Sequence, residues 1–600
     1  MSARHASRAS ASALAIGAET TAAAAKPRID LGLAGQAGSA ETMHRLTEAL
    51  GQLRVFAIQP MLDKAVKALR AEDHRTAAEW ATKALEQDER CGMAWYCLAI
   101  AREKAGDFKS SVQCYEAALH LSPEHDEITS NLARLAYRMG MKEVAEQLLI
   151  GYLAKHPLAI EASNNLACVQ RDLHRYGDAI QTLRPVIEAN PGNSLLWNTL
   201  GTVLTDQGDF ESALPFFDEA LSLDGTFVKA RYNRSTAKLQ LGDPDAALID
   251  CEEALEGHMA EHERAMMELA RSTMLIARGE LEEGWAAYEA RLSHHYPDAT
   301  IYRIDAERWT PEATLEGKTL LLVGEQGLGD EVLFANLLPD AIAAAGPDGK
   351  VVLAVEKRLV PLFQRAYPHI EVGPHATYNV EARTVRVTPF VADMRRIDLW
   401  TPIASLLGRF RPTVESYPDR STYLKADPAR VAHWKAVLDA EAPAGLKVGF
   451  LWKSLKLDGA RLRYFSPFEA WAPVLTTPGI TFVDLQYGDT QAETEYALEQ
   501  FGVQLWRPPG LDLKDDLDEV AALSCALDLV LGPANATSNI AAACGASVWL
   551  ISTPGAWPKL GTDRYPWYPT MRVFTPPGSR RWDAVMDEIA AELAALSRRQ

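Results

Sequence analysis

Basic residues are in short supply. Against 80 acids there are 61 bases, a net charge of −19. Phosphate-backbone binding needs clustered positive potential, so a chain-wide nucleic-acid role is excluded, while a local basic cleft is still allowed. Cysteine is scarce as well: there are seven, an odd number, with no CxxC and no Cys/His ligand spacing. Neither a disulfide framework nor a zinc site follows from that usage, and a reducing, cytoplasmic setting is expected. Long apolar runs are missing too, and none reaches the length of a membrane span. Residues 1–40 are rich in Ala, Ser and Gly, but Ala13 to Ala18 is too short an apolar core for a signal peptide. Residues 1–56 are expected to form a disordered leader. A metal-binding DxD is also wanting, since Asp516-Leu-Asp518 sits in an acidic run that reads as a solvated helix start.

What is present is a rhythm. Pro123, Pro157 and Pro191 are 34 residues apart, and Gly225 continues the count. Ala145, Ala179, Ala213 and Ala247 keep the same interval. In one repeat Trp197, Leu200 and Phe217 supply bulk, while Gly201, Ala213 and Ala220 are small. Small residues let two helices approach closely, and the large ones fill the space between them. Gly106, Gly140, Gly208 and Gly242 mark the turn inside each unit, and Pro or Gly ends it. A weaker unit starts at Ile58, and an out-of-phase one, Gly279 to Tyr288, reads as a cap. With a chain of 600 residues, 48% of them apolar, two to four folded domains are expected.

These units resemble tetratricopeptide repeats, six to seven of them over residues 57–298. The resemblance implies an all-α solenoid whose concave face binds a protein segment. Asn131, Asn164, Asn165, Asn198, Arg231 and Asn233 fall on the first helices and are the candidate groove residues. The Asn amides suit an extended backbone or a helix; the competing reading is that these residues are solvated or satisfy neighbouring turns.

The pattern changes near residue 298 to apolar strands alternating with helices, the signature of mainly parallel sheets. One series runs through Lys318–Val323, Val351–Glu356, Ile370–Val372 and Val385–Val387. A second runs through Leu446–Trp452, Ile480–Gln486, Val503–Trp506, Leu527–Gly532, Val548–Ser552 and Met571–Phe574. The turn after the first strand, Gly324-Glu-Gln-Gly327-Leu-Gly329-Asp330-Glu331, is neither GxGxxG nor GxxxxGK[ST], so dinucleotide and Walker-type readings lose support.

Glu325-Gln326-Gly327-Leu328-Gly329-Asp330 before an apolar helix resembles the first-lobe motif of tetratricopeptide-linked GT-B glycosyltransferases, and is similar to that of bacterial heptosyltransferases. Val448 to Lys453, Arg461 to Pro467, Phe482 to Gln486 and Pro566 to Pro569 extend the likeness. It implies a multidomain chain: the solenoid, then an α/β GT-B fold of two Rossmann-like lobes, residues 299–426 and 427–600, with chemistry at the carboxyl ends of the strands.

Glycosyl transfer needs a base for the acceptor proton and stabilisation of the leaving phosphate. The resemblance implies Asp330 as the base, against the alternative of an ordinary helix cap. Glu331 is the substitute and Glu325 the third choice. Lys453, Arg461 and Arg463 follow a strand and are placed to meet phosphate, Arg463 foremost. Gly327, Gly329 and Gln486 complete the donor side. Asn535, Thr537, Ser538 and Asn539 open a small-residue helix whose exposed N–H groups make an anion site, with plain capping as the competing reading. Most relatives carry an Asp-Thr pair and a His in that segment, where this chain has Ala534-Asn535 and Asn539. The departure points to an unusual donor or to lost activity.

The arrangement resembles bacterial flagellin glycosyltransferases. That likeness implies flagellin as partner, a CMP-linked nonulosonic acid such as pseudaminic acid as co-substrate, Ser or Thr as acceptor, and no cofactor or metal. The alternatives are a UDP-sugar-dependent protein O-GlcNAc-type transferase and a non-catalytic tetratricopeptide adaptor.

Overall fold

The computed structural model describes residues 40–325, 327–381, 383–420, 422–454, 464–578 and 581–599. Arg461 and Arg463, with the first 39 residues of the expected leader, lie outside them. The described chain divides into two compact units, ending and beginning at Val203 and Leu204.

The first unit is helical. It holds α1 (Ala40–Arg70), α2 (His74–Gln87), α3 (Gly92–Lys104), α4 (Phe108–Leu121), α5 (Asp126–Arg138), α6 (Lys142–Lys155), α7 (Ile160–Asp172), α8 (Tyr176–Ala189) and most of α9 (Ser194–Gln207). Helix α1 begins inside the stretch expected to be a leader. Met43, Leu46, Leu50 and Leu53 keep helical spacing there, a signal masked by the Ala/Ser/Gly bias before it. In the following pairs the small residues pack as the periodicity requires: Ala99, Ala118, Ala133, Ala145, Ala167 and Ala179 have no exposed surface.

The turns explain the 34-residue period in backbone geometry. Gly106, Gly140, Gly208 and Gly242 all have φ between 77° and 87°, the left-handed region that glycine enters without a Cβ clash. Two repeats fill that slot otherwise: Glu72 (φ 58°) and His174 (φ 60°) stand at the same register. One residue later, Asp73, Asp107, Asp209 and Asp243 cap the next helix, each carboxylate accepting a backbone N–H three residues on. Met141 and Arg175 hold that place in the two middle repeats and make no side-chain cap.

The second unit continues with α10 (Phe210–Leu223), α11 (Val228–Gln240), α12 (Pro244–Leu255), α13 (Glu261–Arg278) and α14 (Leu281–Tyr288). Thirteen strands follow among the described residues. They are β1 (Ile301–Tyr302), β2 (Glu307–Arg308), β3 (Thr319–Val323), β4 (Lys350–Val355), β5 (Glu371–Pro374), β6 (Ala376–Val380), β7 (Arg383–Val387), β8 (Leu399–Pro402), β9 (Leu446–Phe450), β10 (Ile480–Asp484), β11 (Leu529–Pro533), β12 (Val548–Ile551) and β13 (Arg572–Phe574). Two five-stranded sheets are wholly parallel, in the orders β2-β8-β3-β4-β5 and β10-β9-β11-β12-β13. Each reverses its direction of growth once, between β3 and β8 and between β9 and β11, and such switch points open crevices at the carboxyl ends of strands. Helices α15 (Leu328–Phe334) and α16 (Ala536–Ala543) start just after β3 and β11, at those crevices.

Two expectations are corrected, and one strand was not foreseen. Val385–Val387 belongs not to the parallel series but to a separate sheet, β1-β7-β6, where β7 pairs antiparallel with β6. Val503–Trp506 is not a strand; Trp506 makes one isolated bridge to Val483. Leu399–Pro402, too short to stand out in sequence, is the buried neighbour of β3. Nor do the two sheets stand apart, because one apolar cluster runs from Trp285 of α14 through residues of both. Glycines seat the last repeats on the second sheet: a Cβ on Gly555 would lie 1.7 Å from the Leu239 carbonyl oxygen, and one on Gly561 would lie 2.7 Å from the Gly279 nitrogen.

Candidate functional site

The strand end at β3 gathers charge. Gly324 and Glu325 leave the strand buried, and Gly327 stands before α15, so Asp330 occupies the third helical position and not the cap. Its carboxylate folds back over Gly327, where a Cβ would meet Oδ2 at 2.6 Å. Asp330 faces a cavity of about 70 Å³ that it shares with Tyr288, Arg291, Thr300, Tyr302 and Glu325.

Glu325 and Glu331, the reserve bases, are held by buried contacts. Glu325 is buried, with Oε1 accepting from Arg291 Nη2 at 3.1 Å and from the Ala404 N–H at 2.9 Å. Glu331 is buried under the sheet, where its carboxylate meets His375 Nε2 at 2.8 Å and accepts the Glu356 N–H at 2.8 Å. Both carboxylates are held by fixed partners, and of the three acids Asp330 and Glu325 border the cavity. Arg386, buried on β7, donates to the carbonyls of Gly324 and Glu325 and so pins the turn. Burial above all pushes the phenols of Tyr288 and Tyr302 up, so both stay protonated through neutral pH.

The end of β11 is built differently. Asn535 caps α16, its Oδ1 accepting the Ser538 N–H at 3.0 Å while its own N–H donates to Ser538 Oγ at 2.9 Å. Ser538 Oγ in turn donates to the carbonyl of Pro533 or Asn535. Thr537 and Ser538 are fully buried, so the expected hydroxyl donors do not face a ligand, and capping is the reading that the geometry favours. Asn539 reaches across to the first sheet, Nδ2 donating to the Gly329 carbonyl at 3.4 Å. A Cβ on Gly329 would lie 3.3 Å from that Nδ2 and 3.6 Å from Ala536, so the two helix starts abut where an anion was expected between them.

Gln486 is likewise internal. Its Oε1 accepts the backbone N–H groups of Trp452 and Lys453 at 3.1 and 2.9 Å, which fixes the loop after β9. Lys453 is paired with Glu493 and donates to the Asp489 carbonyl at 3.1 Å. A second cavity, about 550 Å³, opens beside it. Its walls come from the loops after β9 (Trp452, Lys453), β12 (Thr553) and β13 (Pro576), and from Phe210 and Gln240 of the repeats. The Trp452 indole N–H there is buried without a hydrogen-bond partner among the described residues.

The proposed groove residues are only partly available. Asn131 donates to the Tyr96 hydroxyl at 2.8 Å, and Asn164 accepts from Thr199. Asn198 is buried, and Asn165 and Asn233 are half-buried. Arg231 pairs with Glu253 and donates to the Gly225 carbonyl at 2.8 Å. The four Asn from 131 to 198 lie in the first unit, Arg231 and Asn233 in the second. Sequence reasoning missed Arg291, Arg386 and His375, whose partners are distant in the chain, and Thr300, which carries no motif. Among the described residues no group of three or more His, Cys, Asp or Glu is placed to hold a metal ion, and no helix is long and apolar enough to cross a membrane.

Helix pairs with these turns define a tetratricopeptide-repeat protein, and residues 62–126, 102–167 and 164–226 match tetratricopeptide-repeat families. Such repeats usually mediate protein–protein interaction. Protein FlbA of Caulobacter vibrioides is 46% identical over 593 residues, 99% of each chain, and this chain belongs to the FlbA family. The peroxisomal targeting signal receptor of Kluyveromyces lactis is 33% identical over 87 residues, 14% of this chain and 15% of that one. A tetratricopeptide repeat protein from Parabacteroides merdae aligns with 39% of this chain and 91% of its own, at 17% identity and a TM-score of 0.36.

Proposed function

We propose that this chain is a cytoplasmic protein O-glycosyltransferase of GT-B architecture. In this reading the repeats recruit flagellin, and the α/β region transfers a nonulosonic acid such as pseudaminic acid from its CMP conjugate to Ser or Thr. The observation that supports it most is the cavity of about 550 Å³ at the carboxyl ends of β9, β12 and β13, walled on one side by repeat residues. A nucleotide-sized space at the strand ends of a parallel sheet suits a donor, and a wall of repeat helix brings a protein acceptor to it. Asp330 at the other switch point is the base. No metal takes part.

A second reading, a non-catalytic adaptor, draws on the sealed start of α16 and the neutralised Lys453. The deciding experiment is the intact mass of flagellin from cells with and without the gene, followed by CMP release from a CMP-linked nonulosonate by the purified chain. Missing sugar-sized increments and CMP release support the transferase. Release from a UDP-sugar instead would identify an O-GlcNAc-type donor. Unchanged flagellin and no release from either donor would leave the adaptor.

A further inference from the structure

Thr300 presents a hydroxyl with nothing to bond. The residue is 4% exposed, and its Oγ1 has no hydrogen-bond partner among the described residues. Buried polar atoms are nearly always satisfied, so such an atom marks the seat of a water or of a ligand group. It lines the same cavity of about 70 Å³ as Asp330. That volume holds about two waters at roughly 30 Å³ each, or one short hydroxyalkyl side chain, but not a sugar ring.

The charge around the cavity narrows the choice. Arg291 Nη2 lies 3.1 Å from Glu325 and 3.1 Å from Ser405, and its Nη1 lies 2.7 Å from Glu289. Its positive charge is therefore committed, and Asp330 adds a negative one. A neutral alcohol is matched on both sides: Thr300 can donate to its oxygen while its own proton points to a carboxylate.

We propose that this cavity seats the acceptor alcohol, a Ser or Thr side chain of the protein substrate, with Thr300 as its positioning residue. The assignment rests on the glycosyl-transfer reading. In the step it serves, the acceptor O–H passes its proton to the Asp330 carboxylate as its oxygen bonds to the anomeric carbon. The bond from that carbon to the donor phosphate oxygen breaks, and the electron pair leaves with the phosphate. Leu269, from α13, and Leu292 form the remaining wall, so the last repeat helices shape the acceptor site directly.

The test uses the full chain with flagellin and a CMP-linked nonulosonate, following sugar on flagellin and donor hydrolysis in the same reaction. Thr300→Val should raise the KM for flagellin and lower transfer by about tenfold, the size of one lost hydrogen bond. Donor hydrolysis and the donor KM should hold, and Thr300→Ser should restore transfer. Leu269→Trp, which fills the cavity from the repeat side, should also abolish transfer while hydrolysis continues. Unchanged transfer in Thr300→Val and Leu269→Trp would assign the cavity to water and overturn the proposal. A parallel loss of hydrolysis would overturn it as well, by showing damage to the donor site. If the unaltered protein neither transfers nor hydrolyses, the glycosyl-transfer reading itself falls and takes this assignment with it.

Discussion

Helices α15 and α16 occupy equivalent places, each beginning after a strand beside the switch point of a parallel sheet, yet their first turns are opposites. The first carries Asp330 and Glu331 and borders a polar cavity. The second carries no charge and closes its free N–H groups with a reciprocal Asn535–Ser538 cap. The macrodipole favours anions at both ends alike. The side chains decide the difference: protein carboxylates meet that field at α15, and a capping box answers it at α16. Carboxylates thus gather at the start of α15, and none stands at the start of α16.

The contrast is tested most strongly at Asp330. Removing a general base lowers rate by about 100- to 10,000-fold, so Asp330→Asn should abolish transfer in a timed flagellin-labelling assay while urea unfolding stays near that of the unaltered chain. Undiminished labelling would remove the functional distinction between the two helix starts. Glu331, its immediate neighbour, should behave in the reverse way. Leaving a buried hydrogen-bonding group unpaired costs about 1–3 kcal/mol, so Glu331→Ala should shift the urea midpoint clearly through the loss of its His375 and Glu356 contacts. At α16, Ser538→Ala should lower stability by about 1 kcal/mol through the lost cap and change transfer by less than about twofold. A tenfold or larger fall in transfer would restore Ser538 to the donor site.

The sequence was most legible where backbone geometry repeats. The 34-residue spacing of Gly106, Gly140, Gly208 and Gly242 is a left-handed turn written in the one residue that enters it freely. The continuous apolar runs of β3, β4 and β9 were equally plain, because strands buried on both faces have no polar alternation. Strands of two to five residues with exposed or mixed faces, β1, β2 and β6, carry no such signature. At the site, the carboxylates of the glycine-rich turn stood out, but their partners did not: Arg291 pairs with Glu325 from 34 residues away, and Arg386 reaches it from 61. Nothing local encodes such pairings. Register does encode flaws, at Glu72 and at His174. His174 holds a left-handed position that its relatives in the repeat give to glycine, so His174→Gly should stabilise the protein by about 1 kcal/mol in a thermal melt. No change would mean that local contacts, such as the 3.2 Å approach of His174 to the Tyr176 hydroxyl, offset the strain.

The smallest expected effect probes whether the second sheet is as chemically idle as its helix start. Asp484 ends β10 with no exposed surface, and burial pushes its carboxyl above the usual range more than the Gln486 N–H, the Arg507 charge and the Thr490 hydroxyl draw it down. A carboxyl whose pKa is raised by folding binds its proton more tightly in the native state. Its favourable contribution is therefore complete below the unfolded value of about 4, and is lost as pH rises through the native value. Asn has the same shape and can still accept the Gln486 N–H and bond Thr490, but never carries charge. Asp484→Asn should therefore melt with the unaltered chain near pH 4 and above it at pH 7, with donor hydrolysis unchanged. The reverse trend, a variant weaker at pH 7, would show that the ionised carboxylate is matched by a cation. In that case the second sheet would hold a charged centre of its own, and the division of labour between the two switch points would fail.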